Sequence, residues 1–145
     1  MTTQLPSIRA GLPFAASGPL HRVHTDARPL LDGFLSRHRY VRVDLDGSRM
    51  GSRAAMHTEL ARAMDFPDWY GGNWDAFNDC FGNFLHDRAG GIVAIVVHDA
   101  EQMDGASAFE FGVAAFGLDL RLIEATPFHV FALSGSPDYG RPEPR

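Results

Sequence analysis

The sequence predicts an α/β fold built on a three-stranded parallel sheet packed with helices, and three observations lead there. Ile92-Val93-Ala94-Ile95-Val96-Val97 is an unbroken, mostly β-branched run, as in strands buried on both faces. Tyr40 to Gly47 alternates apolar and polar residues and ends on a turn signal, the pattern of a half-buried strand. Phe128 to Leu133 is a third strand-like run, and helix-patterned stretches separate the three. Strands joined by helical crossovers pair in parallel, with right-handed connections. The expected element order over residues 38–135 is therefore β-α-α-β-α-β.

Taken from the start, residues 1 to about 20 are rich in Pro, Gly, Ala and Ser without periodicity, and read as a loosely ordered arm. His21 and His24 stand at a metal-like spacing, but no Cys or carboxylate cluster completes a site, so they read as a surface pair. Leu30, Leu31, Phe34 and Leu35 recur at helical spacing within 27–38, with Asp26 placed to cap the start. Ser52 is placed to cap a second helix whose inner face carries Met56, Leu60, Ala63 and Met64. His57, beside that face, reads as a packed histidine holding one hydrogen bond. Ala106 to about Gly117 is helix-like, with Phe109, Val113 and Phe116 on one side. Leu118 to Ile123 alternates like a strand and fits an extension of that helix equally well. The organisation is then a partly ordered N-terminal extension over 1–37, an α/β domain over 38–135, and a flexible tail over 136–145.

Composition narrows the function. A chain of 145 residues, 45% of them hydrophobic, fits one domain with a sufficient core and needs no metal or disulfide staple. Cys80 is the single cysteine, which excludes an internal disulfide and points to a reducing compartment. The N-terminus lacks a basic stretch followed by an apolar run, and no apolar run approaches the ~20 residues that span a bilayer. These features predict a cytoplasmic protein without membrane attachment. A net charge of −5, with Arg supplying every basic residue, argues against a nucleic-acid partner.

Chemistry concentrates between Phe66 and Phe84, which holds both Trp residues, every Asn and the only Cys. Pro67 stops the preceding helix, Gly71-Gly72 supplies a turn, and Asn73 is placed to cap the next helix. Asp75 falls in its first turn, where the helix dipole favours negative charge. Phe77, Cys80, Phe81 and Phe84 make a core stripe, so Cys80 reads as a small buried side chain rather than a nucleophile. Asp75, Asn78 and Asp79 occupy the opposite face. Trp69, Tyr70 and Trp74 surround the helix start, with Tyr70 or Trp74 the one placed to join the core. Large aromatics beside concentrated charge are typical of protein interfaces, and Asp68 adds to the negative field. Enzyme signatures are missing: there is no Gly-x-Ser-x-Gly elbow and, without Lys, no phosphate-binding Gly-x-x-x-x-Gly-Lys loop. Two carboxylates without further oxygen or His ligands make a poor metal site. No catalytic residue, metal or cofactor is expected.

Phe66 to Cys80, read as Phe-Pro-Asp-Trp-Tyr-Gly-Gly-Asn-Trp-Asp-Ala-Phe-Asn-Asp-Cys, resembles the signature of the barstar family, intracellular inhibitors of small secreted microbial ribonucleases. The resemblance extends upstream through His57-Thr58-Glu59-Leu60 and covers roughly 38–135. It implies a three-stranded parallel sheet and no enzymatic activity. It assigns Asp79 to the acid that enters the nuclease's phosphate-binding site and Asp75 to a second interface acid. Trp69 replaces a tyrosine that packs near the enzyme's catalytic histidine, Asn73 and Trp74 line the same edge, and Gly71 keeps the loop turn. Tyr70 and Asn78 complete the expected partner-binding set, with Asn83 and Glu124 as peripheral contacts. Asn78 departs from the tryptophan of the founding member, and a third-helix glutamate falls near Arg121, leaving Glu124 or Glu110 to substitute. The implied function is stoichiometric inhibition of an extracellular-type, guanyl-specific ribonuclease by a monomer in a 1:1 complex, through carboxylates that mimic phosphate. The alternative is a binding or immunity module of the same fold for a non-ribonuclease partner.

Overall fold

The computed structural model describes residues 6–15, 21–103, 126, 128–140 and 142. The helix expected over 106–117 and the segment Leu118 to Ile123 lie outside these residues. Four strands, β1 (His21–His24), β2 (Val41–Asp46), β3 (Val93–His98) and β4 (Phe128–Ser134), form one parallel sheet in the order β1-β4-β3-β2. Val41 pairs with Val93, Val93 with Phe128, and His21 with Phe131. The central pair β3 and β4 is buried almost throughout, which is why those strands are apolar at nearly every position.

The parallel α/β class stands, but among the described residues the sheet has four strands rather than three and begins earlier than expected. The added strand, His-Arg-Val-His, is too short and too polar to carry a period-2 signal, since Val23 is its only apolar residue. Backbone pairing holds it instead. It lies along β4, and on its far side the His24 N–H donates to the Gly140 carbonyl at 2.7 Å. His21 and His24 are thus not a surface pair: His21 is half-buried and His24 buried.

Helices cover both faces. On one, α3 (Arg53–Met64) and α4 (Trp74–His86) bring Met56, Leu60, Met64, Phe77, Phe81 and Leu85 against Val43, Leu45, Val93, Ile95, Val97 and Val130. On the other, α2 (Arg28–Arg37) lays Leu31, Phe34 and Leu35 over Val23, Ala94, Val96, Phe131 and Leu133. Alternate residues of β3 and β4 divide between these two cores, as the pleat requires. A short helix preceding β1, α1 (Ile8–Gly11), is followed by the buried Leu12, which joins the second core.

Local polar chemistry fixes the joints. Ser52 Oγ accepts from the Ala55 N–H at 3.1 Å and starts α3 where the sequence placed it. Asp26 does not cap α2: the cap position is Ala27, which makes no side-chain bond, and Pro29 lies in the first turn. Asp26 sits instead in a 3-10 turn, its N–H donating to His24 Nδ1 at 3.0 Å. Arg42 donates to Asp32 at 2.7 Å and to Asp44 at 2.8 Å, clipping α2 to the sheet edge. Glu59, 2% exposed, accepts from the Asp46 N–H at 2.7 Å and from two guanidinium nitrogens of Arg62 at 2.6 and 2.7 Å. The Arg62 hydrogen bond holds the Glu59 carboxyl below its ordinary range against the opposing effect of burial. Among the described residues, no helix is long and apolar enough to cross a membrane.

Candidate functional site

The Phe66 to Phe84 segment joins α3 to α4. The first of these helices ends at Asp65, whose left-handed backbone (φ 53°) lets its N–H bond back to Ala61. Pro67 then opens a tight turn closed by the Tyr70 N–H donating to its carbonyl at 2.9 Å. Gly72 has φ +68°, a conformation in which an L side chain is strained, so glycine is needed there. Asn73 Oδ1 accepts from the Ala76 N–H at 2.8 Å, so the asparagine expected to cap α4 does so.

The three aromatics separate into roles. Tyr70 turns inward, its ring 5.0 Å from Phe66 and its hydroxyl hydrogen-bonded to His57 Nδ1. Burial pushes its phenol above the ordinary tyrosine range, with a smaller contribution from Cys80. Trp74 also packs inward, 4.6 Å from the His57 ring and nearly perpendicular to Phe77 at 5.4 Å. Trp69 alone faces solvent, 62% exposed. The sequence placed one of Tyr70 and Trp74 in the core; both are half-buried against it.

Helix α4 is two-sided. Phe77, Cys80, Phe81 and Phe84 are buried, with Phe77 stacked on Phe81 at 5.2 Å. Asp75, Asp79 and Asn83 are exposed at four-residue intervals, and Asn78 is half-buried beside them. Among the described residues, neither Asp75 nor Asp79 enters an ion pair or side-chain hydrogen bond, unlike Asp32, Asp44, Asp46 and Glu59. Burial, helped by Asp79, raises the Cys80 thiol, which keeps it protonated and inert. A groove of about 500 Å³ lies beside the loop, lined by residues of α3 that include His57 and Thr58 and by Phe66, Asp68, Tyr70 and Gly71. Sequence reasoning named the loop residues but not the groove. Among the described residues no group of three or more His, Cys, Asp or Glu is placed to hold a metal ion. Glu110, Arg121 and Glu124 lie outside the described residues.

Fold and segment together define a parallel α/β domain that carries an acidic helix rimmed by aromatics. The family model described as Barstar (barnase inhibitor) matches residues 40–123, more than half of the chain, and the protein belongs to the barstar family. A search of curated proteins returned no match. Among solved structures, a crystal structure of Cdc6p from Pyrobaculum aerophilum is similar in fold, with a TM-score of 0.56 at 15% identity. The similarity covers 88% of this chain and 35% of that one, and at this identity it speaks to fold alone.

Proposed function

We propose that this protein is a stoichiometric inhibitor of a small secreted, guanyl-specific ribonuclease, acting as a monomer in the cytoplasm and binding 1:1. The observation that carries the reading is the pair Asp75 and Asp79, exposed on one helix face and uncommitted to any internal ion pair among the described residues, beside the exposed Trp69. A ribonuclease site gathers Arg, Lys and His to hold a phosphodiester, so its field is positive. Carboxylates on the helix imitate the phosphate, Trp69 and the edge of Trp74 exclude water around them, and Asn73 and Asn78 supply amides. Tyr70 and Gly71 shape the loop, and Asn83 lies at the periphery. No bond is made or broken, and membership of a family of inhibitors supports an activity without catalysis.

Charge of this kind steers association, so the on-rate falls as ionic strength rises. The decisive comparison is Asp79→Ala against Glu101→Ala, the latter on the exposed 3-10 turn Ala100–Gln102. Binding to a guanyl-specific ribonuclease falls far more for Asp79→Ala; equal effects overturn the assignment. A partner other than a ribonuclease is favoured by one observation, the small amide of Asn78 at a half-buried position where the founding inhibitor has a large aromatic. Co-expression with several secreted ribonucleases separates the readings: rescue of growth supports inhibition, and failure across the set supports another target.

A further inference from the structure

The second core contains a pair of imidazoles that the recognition surface does not use. His129 of β4 and His21 of β1 meet edge to face, ring centroids 5.5 Å apart and planes at 87°. His129 Nδ1 shares a 2.7 Å hydrogen bond with the Tyr40 hydroxyl, and Phe131 lies 5.4 Å from His21 and 6.1 Å from His129. Among the described residues, the titratable groups facing His129 are His21 from β1 and Tyr40 ahead of β2. Its strand neighbour on β3 is Ala94, and Phe34 of α2 stacks behind Tyr40. Among the described residues no carboxylate reaches His129, so nothing there compensates a proton on its ring.

We propose that β1 is an acid-releasable edge strand, seated on β4 only while the His129 ring that His21 covers is uncharged. The attachment is slight by other measures: four residues, one apolar side chain buried and, among the described residues, a single backbone bridge on the outer side at Gly140. Lifting β1 removes His21 from the His129 ring and admits water to it. Burial, with a smaller effect of His21, pulls the seated His129 imidazole down to about 4, whereas a hydrated ring titrates at about 6.5. The sign follows from that difference. Above about 6.5 both states are neutral and β1 is undisturbed by pH; between about 6.5 and 4 the open state alone takes a proton. Opening therefore gains up to tenfold per pH unit across that window, with a ceiling of roughly a few hundredfold. Residues 21–24 and the turn ending at Gly140 loosen together, while β2, β3 and β4 stay paired.

Hydrogen exchange on the full chain, expressed as protection factors corrected for intrinsic pH dependence, tests this at pH 7 and pH 4.5. Protection of the Arg22–His24 amides is expected to fall tenfold or more in acid, with Val93–His98 unchanged, and the fall should vanish in His129→Gln. Unchanged β1 protection, a loss shared equally by β3, or an undiminished loss in His129→Gln overturns the proposal. Should that variant fail to fold, the imidazole titration of the wild-type chain decides. A His129 midpoint well below 6.5 that moves upward in His21→Asn sustains the idea, and an ordinary midpoint, or one indifferent to His21→Asn, ends it.

Discussion

The two faces of α4 are separated by half a helical turn and live under different rules. Its inner face, Phe77, Cys80, Phe81 and Phe84, is consumed by contacts within the chain, each side chain 6% exposed or less. Its outer face, Asp75, Asp79 and Asn83, meets water. Some acids elsewhere are spent: Glu59 on Arg62 and a backbone N–H, Asp44 on Arg42 and His98. What the contrast teaches is that a carboxylate's role is read from whether the fold has already answered its charge. Inner-face changes should alter stability and leave intrinsic affinity alone; outer-face changes should do the reverse.

The strongest test of that division is Phe81→Ala. Phe81 is fully buried, stacked between Phe77 and Phe84 and met edge-on by Phe128 at 5.2 Å. Truncation removes its transfer energy and leaves a cavity, and should lower unfolding stability by about 3–5 kcal/mol in a urea titration. Affinity for the partner, measured per folded molecule, should be unchanged. A fall in affinity at full folding would break the comparison.

Asp79→Ala is the mirror experiment. Under the proposed function it strands a basic group of the nuclease without its partner, weakening binding by ~3 kcal/mol or more. That is about a hundredfold in Kd by titration calorimetry. Unfolding stability should move by less than about 0.5 kcal/mol, since the residue is exposed and unpaired within the described chain.

How much of this was legible in the sequence follows from where each signal is stored. The core stripe of α4, its Asn73 cap and the Ser52 cap of α3 are local patterns, and each was readable from spacing and residue type. The signature from Phe66 to Cys80 was legible for the same reason. β1 was not, because a strand of His-Arg-Val-His is held by backbone pairing with β4 and Gly140, and backbone partners leave no mark on side-chain order. Asp26 failed as a cap because it lies inside a 3-10 turn that His24 caps two residues earlier, which moves the cap position of α2 to Ala27. Glu59 was invisible for a different reason. Its i, i+3 spacing to Arg62 looks like an ordinary surface pair, and only the approach of Asp46 from β2 makes it a buried joint.

Glu59 sharpens the comparison as an acid that the fold has already used. Glu59→Gln should lower stability by about 2–3 kcal/mol at neutral pH by removing charge-assisted bonds from Arg62 and the Asp46 N–H. Its effect on partner affinity should be negligible. Because the folded state depresses this carboxyl, the stabilisation is complete above its unfolded value of about 4.3 and is lost as pH falls through the lower, folded one. Wild type and variant stabilities should therefore converge in acid. A constant gap down to pH 2 would show that shape, and not charge, is what Glu59 contributes.

Asn73 stands where the two faces meet, and it predicts the smallest and most discriminating effect. Its Oδ1 accepts from the Ala76 N–H, leaving its amide nitrogen as the donor on that side chain that a partner can use. Asn73→Ala loses the cap, at about 1 kcal/mol of stability. Asn73→Ser keeps a capping oxygen and should hold stability within a few tenths of a kcal/mol. It removes the amide donor, and so should weaken nuclease binding by about 1 kcal/mol, roughly fivefold in Kd. If Asn73→Ser binds like the wild type while Asn73→Ala does not, the asparagine belongs to the fold alone, and the recognition face begins at Asp75.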